Sequence, residues 1–239
     1  MSMWLAGAVL GLSPFAAGAA DPASENTMLQ PDTMAARLVA CTACHGAQGR
    51  SGPDGYYPRI AGKPAEYLYH QLVHFREGQR RYEPMRVLLE TLSDDYLREI
   101  AQWFSDQHPP YVPARSARVD ANALEHGRLL TLQGDAARGI PACAACHGAA
   151  LTGVKPAIPG VLGLPHDYIA SQFGAWRGGM RKATAPDCMA EVARKLTPED
   201  VSAVAAWLSI QPVPNEGLPA ETLSLPQECG SQTHASGAR

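Results

Sequence analysis

The 239-residue sequence predicts an all-α fold built from two tandem domains. Three observations carry that prediction. The second half of the chain repeats the first at an offset near 102. Each repeat closes on a well-capped amphipathic helix. No segment alternates apolar and polar residues as a half-buried strand does.

The repeat is anchored on two Cys-x-x-Cys-His strings, Cys41–His45 and Cys143–His147. Around them Pro58 maps to Pro159, and Gly62 to Gly163. Tyr67, Gln71, Phe75, Arg76 and Gly78 map to Tyr168, Gln172, Trp176, Arg177 and Gly179. Met85 maps to Met189, and Leu92 to Leu196. The offset drifts only between 101 and 104, as one- or two-residue loop changes produce. Each repeat has the length of one domain, so this is a tandem duplication and not a solenoid.

Helices follow in order. Asp32–Cys44 and Leu124–Leu132 run toward the two cysteine strings, and Ala65–Glu77 and Asp167–Arg177 form a second pair. The closing helices start at Ser93, with Asp94 and Asp95 in the first turn, and at Thr197, with Pro198 at the first position and Glu199 and Asp200 after it. Leu92 with Leu97, and Leu196 with Val201, are placed as hydrophobic staples. Leu97, Ile100, Ala101 and Phe104 then recur at i, i+3, i+4 and i+7, as do Val201, Val204, Ala205 and Leu208. Pro109-Pro110-Tyr111-Val112-Pro113 interrupts helix between the repeats. The expected organisation is a leader at 1–20, domains at 21–110 and 121–212 joined by a linker at 111–120, and a Pro-, Gly- and Ser-rich tail at 213–239.

Apolar residues make up 46% of the chain, enough for two cores. A net charge of -3 gives no electrostatic reason to expect nucleic acid as a partner. Trp4 to Ala20 is apolar or small apart from Ser13, is broken by Pro14, and ends in a small-x-small pattern at Ala17-Gly18-Ala19. It reads as a secretory signal peptide, although no Lys or Arg precedes it. It is short for a membrane span, so membrane contact is expected only through partners or an uncleaved N-terminal segment. Export places the protein in an oxidising compartment.

Two cysteines three apart suit two thioether bonds to one haem, with the next histidine reaching the iron from the same side. Zinc needs four clustered ligands, and neither repeat supplies a second cysteine pair. A redox Cys-x-x-Cys belongs on an α/β turn that is absent here. Cys41, Cys44, Cys143 and Cys146 are therefore the expected attachment points of two covalent haem c groups, and His45 and His147 the expected iron ligands. A methionine thioether as sixth ligand favours electron transfer, whereas an open iron favours catalysis. Met85, 40 residues after His45, is the only methionine between His45 and Cys143. Met189, 42 residues after His147, is its repeat equivalent, while Met180 aligns with Gln79 and is assigned to packing. The carbonyls of Pro58 and Pro159 are candidates to accept the second ring N–H of each histidine.

These strings resemble class I cytochromes c. The Tyr-x-x-x-Gln-Leu-x-x-Phe-Arg-x-Gly pattern at Tyr67–Gly78, with the duplication, resembles the dihaem cytochrome c4 family over roughly Asp32 to Gln211. The resemblance implies two tandem class I cytochrome c domains, each wrapped around its haem. It implies His/Met ligation of both irons and a pseudo-twofold arrangement with the haems close together. Pro58 and Pro159 match the family prolines that accept the histidine hydrogen bond. It also implies a periplasmic carrier of single electrons between a respiratory donor, complex or dehydrogenase, and a haem-copper oxidase, with no substrate of its own. Two alternatives belong to other classes. One is a dihaem enzyme such as a thiosulfate dehydrogenase or a peroxidase. The other is a cytochrome subunit of a larger dehydrogenase, docked through the tail.

Cys188 and Cys229 depart from that pattern. A disulfide between them would close a loop of ~40 residues and stabilise by about 4 kcal/mol. The competing reading makes Cys188, next to Met189, a thiolate ligand of the second haem. His70 and His74 lack a third ligand and are assigned to a partly exposed helix face or to packing near a haem edge. His108, His126, His166 and His234 are assigned to the surface. Arg76 and Arg177 are either propionate partners or exposed helix arginines.

Overall fold

A computed structural model of the chain describes residues 32–52, 56–111, 120–214, 217–221 and 223–233. The expected leader, most of the expected linker and His234 lie outside them.

In the first repeat, α1 (Met34–Arg37) is capped by the Thr33 hydroxyl, which accepts from Ala36 N. It turns at Leu38 into α2 (Val39–His45), so the single helix expected over Asp32–Cys44 is two short ones. Then come α3 (Ala65–Arg76), α4 (Glu83–Leu89) and α5 (Asp94–Ser105). The second repeat gives α6 (Ala121–Leu132), α7 (Cys143–His147), α8 (His166–Arg177), α9 (Cys188–Lys195) and α10 (Pro198–Ile210), and α11 (Gly230–Thr233) lies in the tail. One small hairpin accompanies the helices of this all-α fold. Residues β1 (Gly153–Val154) and β2 (Ile158–Pro159) pair antiparallel, and Val154 also bridges Ala220 of the tail. Two-residue strands are too short to leave an alternating pattern in sequence.

The expected caps form. Ser93 accepts from Tyr96 N, and Thr197 and Asp200 make a reciprocal capping box at α10. Behind these caps lie two separate apolar cores. The first gathers Leu38, Leu68, Leu89 and the α5 stripe Leu97, Ile100, Ala101 and Phe104. The second gathers Leu130, Ile169, Phe173 and Leu196 with Val201, Val204, Ala205 and Leu208 of α10. Met85 packs on the first core and Met189 on the second. Among the described residues no helix is long and apolar enough to cross a membrane.

α10 is buried on more than one stripe, because Ala203 and Ala206 are buried as well. The reason is α6. A Cβ on Gly127 would lie 2.1 Å from the Ala203 carbonyl oxygen, so the two helices approach as closely as glycine allows. Gly127→Ala gains helix propensity of about 1 kcal/mol yet must force this crossing apart. The expected net result is a lower melting temperature, read by calorimetry.

Asp200 is 3% exposed and joins α10 to the loop before α7. Its carboxylate accepts from Arg138 Nη1 at 2.6 Å, His126 Nε2 at 2.7 Å and Thr197 N at 2.8 Å. Burial alone would raise the Asp200 pKa, but these bonds outweigh it and hold the carboxyl well below the usual range. The stability this contributes is present above the unfolded value near 4 and is lost as pH falls through the lower folded value. Asp200→Asn removes the buried charge that Arg138 and His126 share, while Arg138 keeps Asp135 at 2.6 Å, and should cost about 1–2 kcal/mol at neutral pH. The difference from wild type should shrink as denaturation is repeated toward pH 2.

Candidate functional site

The cysteine strings fold as one short helix each, α2 and α7, ending on a glycine with positive φ. Gly46 (φ 75°) turns the chain back so tightly that a Cβ would lie 2.3 Å from the Ser51 carbonyl oxygen. That return brings the Pro58 carbonyl to His45, whose Nδ1–H donates to it at 3.0 Å. In the second repeat His147 Nδ1–H donates to the Pro159 carbonyl at 2.7 Å. Both rings are thereby fixed in one tautomer, with Nε2 left for another partner. Burial lowers the pKa of both imidazoles, opposed by the prolyl bonds. Both are held in the neutral form a metal needs.

Three of the thiols behave differently from zinc or redox cysteines, whose pKa is driven down. Burial pushes Cys143 up to about 11 and raises Cys41 and Cys146, which favours the neutral thiol at these three positions. Among the described residues no three His, Cys, Asp or Glu side chains converge to hold a metal ion.

All of these groups face one cavity of about 1290 Å³, larger than the ~300–1,000 Å³ of an ordinary single-ligand site. Cys41, Cys44, His45, Pro58 and Met85 line it from the first repeat, and Cys143, Cys146, His147, Pro159 and Met189 from the second. Met85 and Met189 each sit in the first turn of a short helix, α4 or α9, that sequence periodicity does not reveal. Pro84 stands early in α4, while Asp187 caps α9 by accepting from Ala190 N. The buried indole N–H of Trp176, also lining the cavity, has no acceptor among the described residues. Two flat macrocycles with polar edges fit this lining: paired thiols, a free Nε2 and a thioether on each side, and unspent donors between.

Those donors lie where the repeats meet. The backbones bridge antiparallel at Arg80 and Arg181, with Arg81 N donating to Met180 O and Lys182 N to Gln79 O, both at 2.8 Å. Arg80 donates to Gln71 and, across the interface, to Tyr168 and Gln172, at 2.8–2.9 Å. Arg181 returns the pattern, to Gln172 at 2.8 Å and across to Gln71 at 3.0 Å and Tyr67 at 3.3 Å. Each guanidinium also stacks on its own repeat's aromatic ring, Arg80 on Phe75 and Arg181 on Trp176. No carboxylate among the described residues pairs with either. Burial and the charge of Arg80 lower the Arg181 pKa, as two adjacent cations require. Lys63 adds a third cation: its Nζ donates to the Gly160 carbonyl at 2.5 Å, and burial, reinforced by Arg59, pulls its pKa to about 7.

Sequence reasoning overlooked this set. Arg76 instead bonds Asp94 at 2.6 Å and the Leu92 carbonyl, and neither Arg76 nor Arg177 lines the cavity. His70 and His74 stack on each other at 6.2 Å and do not line it either, so they lie off the haem cavity. His126, exposed as expected, holds Asp200.

Cys188 and Cys229 are joined by a disulfide, with Cα atoms 5.2 Å apart. In that state Cys188 has no thiolate to offer an iron, which removes the basis of the competing reading.

No family model matches the chain. It is 38% identical over 175 residues to a thiosulfate dehydrogenase electron acceptor of Thiomonas intermedia, spanning 73% of this chain and 80% of that protein. It is 32% identical over 201 residues to a cytochrome c4 of Pseudomonas aeruginosa, spanning 83% and 92%. The crystal structure of reduced recombinant cytochrome c4 from Pseudomonas stutzeri superposes with a TM-score of 0.61 at 30% identity, covering 73% of this chain and 94% of that one. A thiosulfate dehydrogenase (TsdBA) from Marichromatium purpuratum superposes with a TM-score of 0.66 at 30% identity, but this chain spans only 36% of it. Duplicated Cys-x-x-Cys-His helices opening on one shared cavity are thus matched by relatives alike along most of their length. The chain belongs to the cytochrome c4 family and is an electron-carrying cytochrome with two covalently bound haem c groups and their iron.

Proposed function

We propose that His45 with Met85 and His147 with Met189 are the axial ligand pairs, and that Cys41, Cys44, Cys143 and Cys146 form the thioether bonds. The observation that carries this is the pair of Nδ1–H bonds to Pro58 and Pro159, which leave both Nε2 atoms free beside a cavity that both methionines also line. Bound haem iron supplies a one-electron couple whose potential is set by its ligands, burial and neighbouring charge. The protein's part is positional. The prolyl carbonyls orient the imidazoles, and the apolar cores hold the thioethers. Arg80, Arg181 and the Trp176 indole supply donors for the propionate edges at the domain junction. Domains 21–110 and 121–212 each provide one ligand set, with the tail at 213–239 added to the second.

The reading extends to location and partners. The apolar N-terminal stretch and the Cys188–Cys229 disulfide fit an exported, periplasmic protein. The acceptor role named for the 38%-identical relative supports a thiosulfate-oxidising enzyme as electron donor, with a haem-copper oxidase as a fitting acceptor. In this reading the chain carries electrons and does not itself oxidise thiosulfate. Mixing the oxidised holoprotein with thiosulfate should leave its visible spectrum unchanged. Adding a catalytic amount of purified thiosulfate dehydrogenase should reduce both haems. Reduction by thiosulfate alone would make the chain an enzyme, and no reduction in either mixture would remove thiosulfate oxidation as its source of electrons.

A further inference from the structure

The described parts of the tail, 217–221 and 223–233, have no counterpart in the first repeat, yet they are tied to both sides of the second ligand set. On the histidine side, the tail grips the hairpin that ends at Pro159, the acceptor for His147. Thr152 Oγ1 donates to the Leu218 carbonyl at 2.7 Å, Lys155 N to Ala220 O at 2.9 Å, and Ala220 N to Gly153 O at 2.8 Å. The Gln232 carboxamide closes the same hairpin, accepting from Ala157 N at 2.9 Å and donating to the Lys155 carbonyl at 3.2 Å. On the methionine side, Cys229 is bonded to Cys188, the residue before Met189 at the start of α9. Gln227 Nε2 donates to the Cys188 carbonyl at 3.2 Å, and Gly230 N to Pro186 O at 3.0 Å. Gly230 lies so close that a Cβ there would meet the Ala185 carbonyl oxygen at 2.2 Å.

We propose that the tail is a clamp that fixes the spacing between the histidine-side hairpin and the Met189-bearing start of α9, locked by the Cys188–Cys229 disulfide. This rests on Met189 being the ligand of the second iron. The physical reason is leverage. Met189 sits in the first turn of an eight-residue helix preceded by the irregular segment 182–187, so little helix holds it in place. A covalent tie at the adjacent residue limits how far the thioether can retreat. Among the described residues no disulfide stands beside Met85, which packs on the first core. The two haems therefore differ in how firmly their methionines are held. Gln232 and the cysteines are positioning residues; none of them touches iron.

The holoprotein reduced with ascorbate, which leaves the disulfide intact, is exposed to carbon monoxide with and without a phosphine that opens the disulfide. Carbon monoxide can bind only where a thioether yields. The expected result is no binding with ascorbate alone and binding to one haem per chain after the phosphine. Cys188→Ser/Cys229→Ser, which adds no free thiol, should behave like the phosphine-treated protein and lose about half of the thioether absorption when oxidised. Gln232→Ala should weaken the same site without touching the disulfide. No binding after the phosphine would overturn the clamp, because Met189 would then hold unaided. Binding to both haems would also overturn it, because the effect would not be confined to the tethered site. An untreated protein whose thioether absorption is unchanged by Met189→His would instead reject Met189 as ligand, and the clamp with it.

Discussion

Met189→His should leave the second haem low-spin and covalently attached, remove about half of the red-edge thioether absorption of the oxidised protein, and lower one reduction potential. The expected fall is more than ~0.1 V, a modest part of the ~0.8 V that axial ligands span. The sign follows from ligand softness. A thioether favours the ferrous state, whereas a second imidazole donates more strongly to the ferric state. Histidine is the informative substitution because it keeps a sixth ligand. Alanine at the same place would also open a cavity in a core that includes Val192 and Leu196, at about 2–5 kcal/mol. Met85→His should do the same to the other wave of the titration. If either variant leaves both potentials and the full thioether intensity in place, that methionine is not a ligand, and Met180 becomes the methionine to test in the second domain.

Removing Arg181 should affect both domains at once. Its guanidinium is 7% exposed and spends its bonds on Gln172 in its own repeat and on Gln71 and Tyr67 across the junction. Arg181→Ala removes one of two donors from Gln71 and Gln172, which keep Arg80, and the donor to Tyr67, at a cost of about 1–2 kcal/mol spread over the interface. The change also relieves the repulsion from Arg80, which reduces the net loss. The sharper readout is electrochemical. Deleting a buried positive charge beside two redox centres stabilises their oxidised states, so both potentials should fall together. Lysine, which keeps the charge, should restore much of both potentials but not the stability of the junction, because it cannot reach Gln71, Gln172 and Tyr67 from one rigid fork. The stability arm is read by denaturant unfolding: wild type is expected to lose its two domains together, and the variant in two separated steps. A fall confined to one potential would mean that the guanidinium serves one haem only.

How far the sequence announces these sites depends on the range of the interactions involved. Ser93 and Thr197 act on N–H groups three residues away, so the starts of α5 and α10 could be read from local chemistry. The attachment strings are equally local, and the methionines emerged because the repeat carried their spacing. What escaped is what depends on docking. Arg80 and Arg181 sit two residues after the duplicated Gly78 and Gly179, so their duplication was visible. Arg76 and Arg177 were duplicated too, and only burial against the opposite repeat separates the pairs. The helices α4 and α9 are seven and eight residues long, too short for a stable period. The tail is rich in Pro, Gly and Ser and carries no periodic signal. Its order comes from a disulfide 41 residues long in separation and from hydrogen bonds to a hairpin some 66 residues earlier.

If one cavity holds two similar His/Met irons, one built from each repeat, potentiometric titration of the purified holoprotein followed by visible absorption should give two one-electron waves. The spectrum should be low-spin in both states, with oxidised thioether absorption of the intensity of two haems. A high-spin or thiolate-type spectrum at either haem, or thioether absorption for fewer than two, would rule out the paired His/Met assignment.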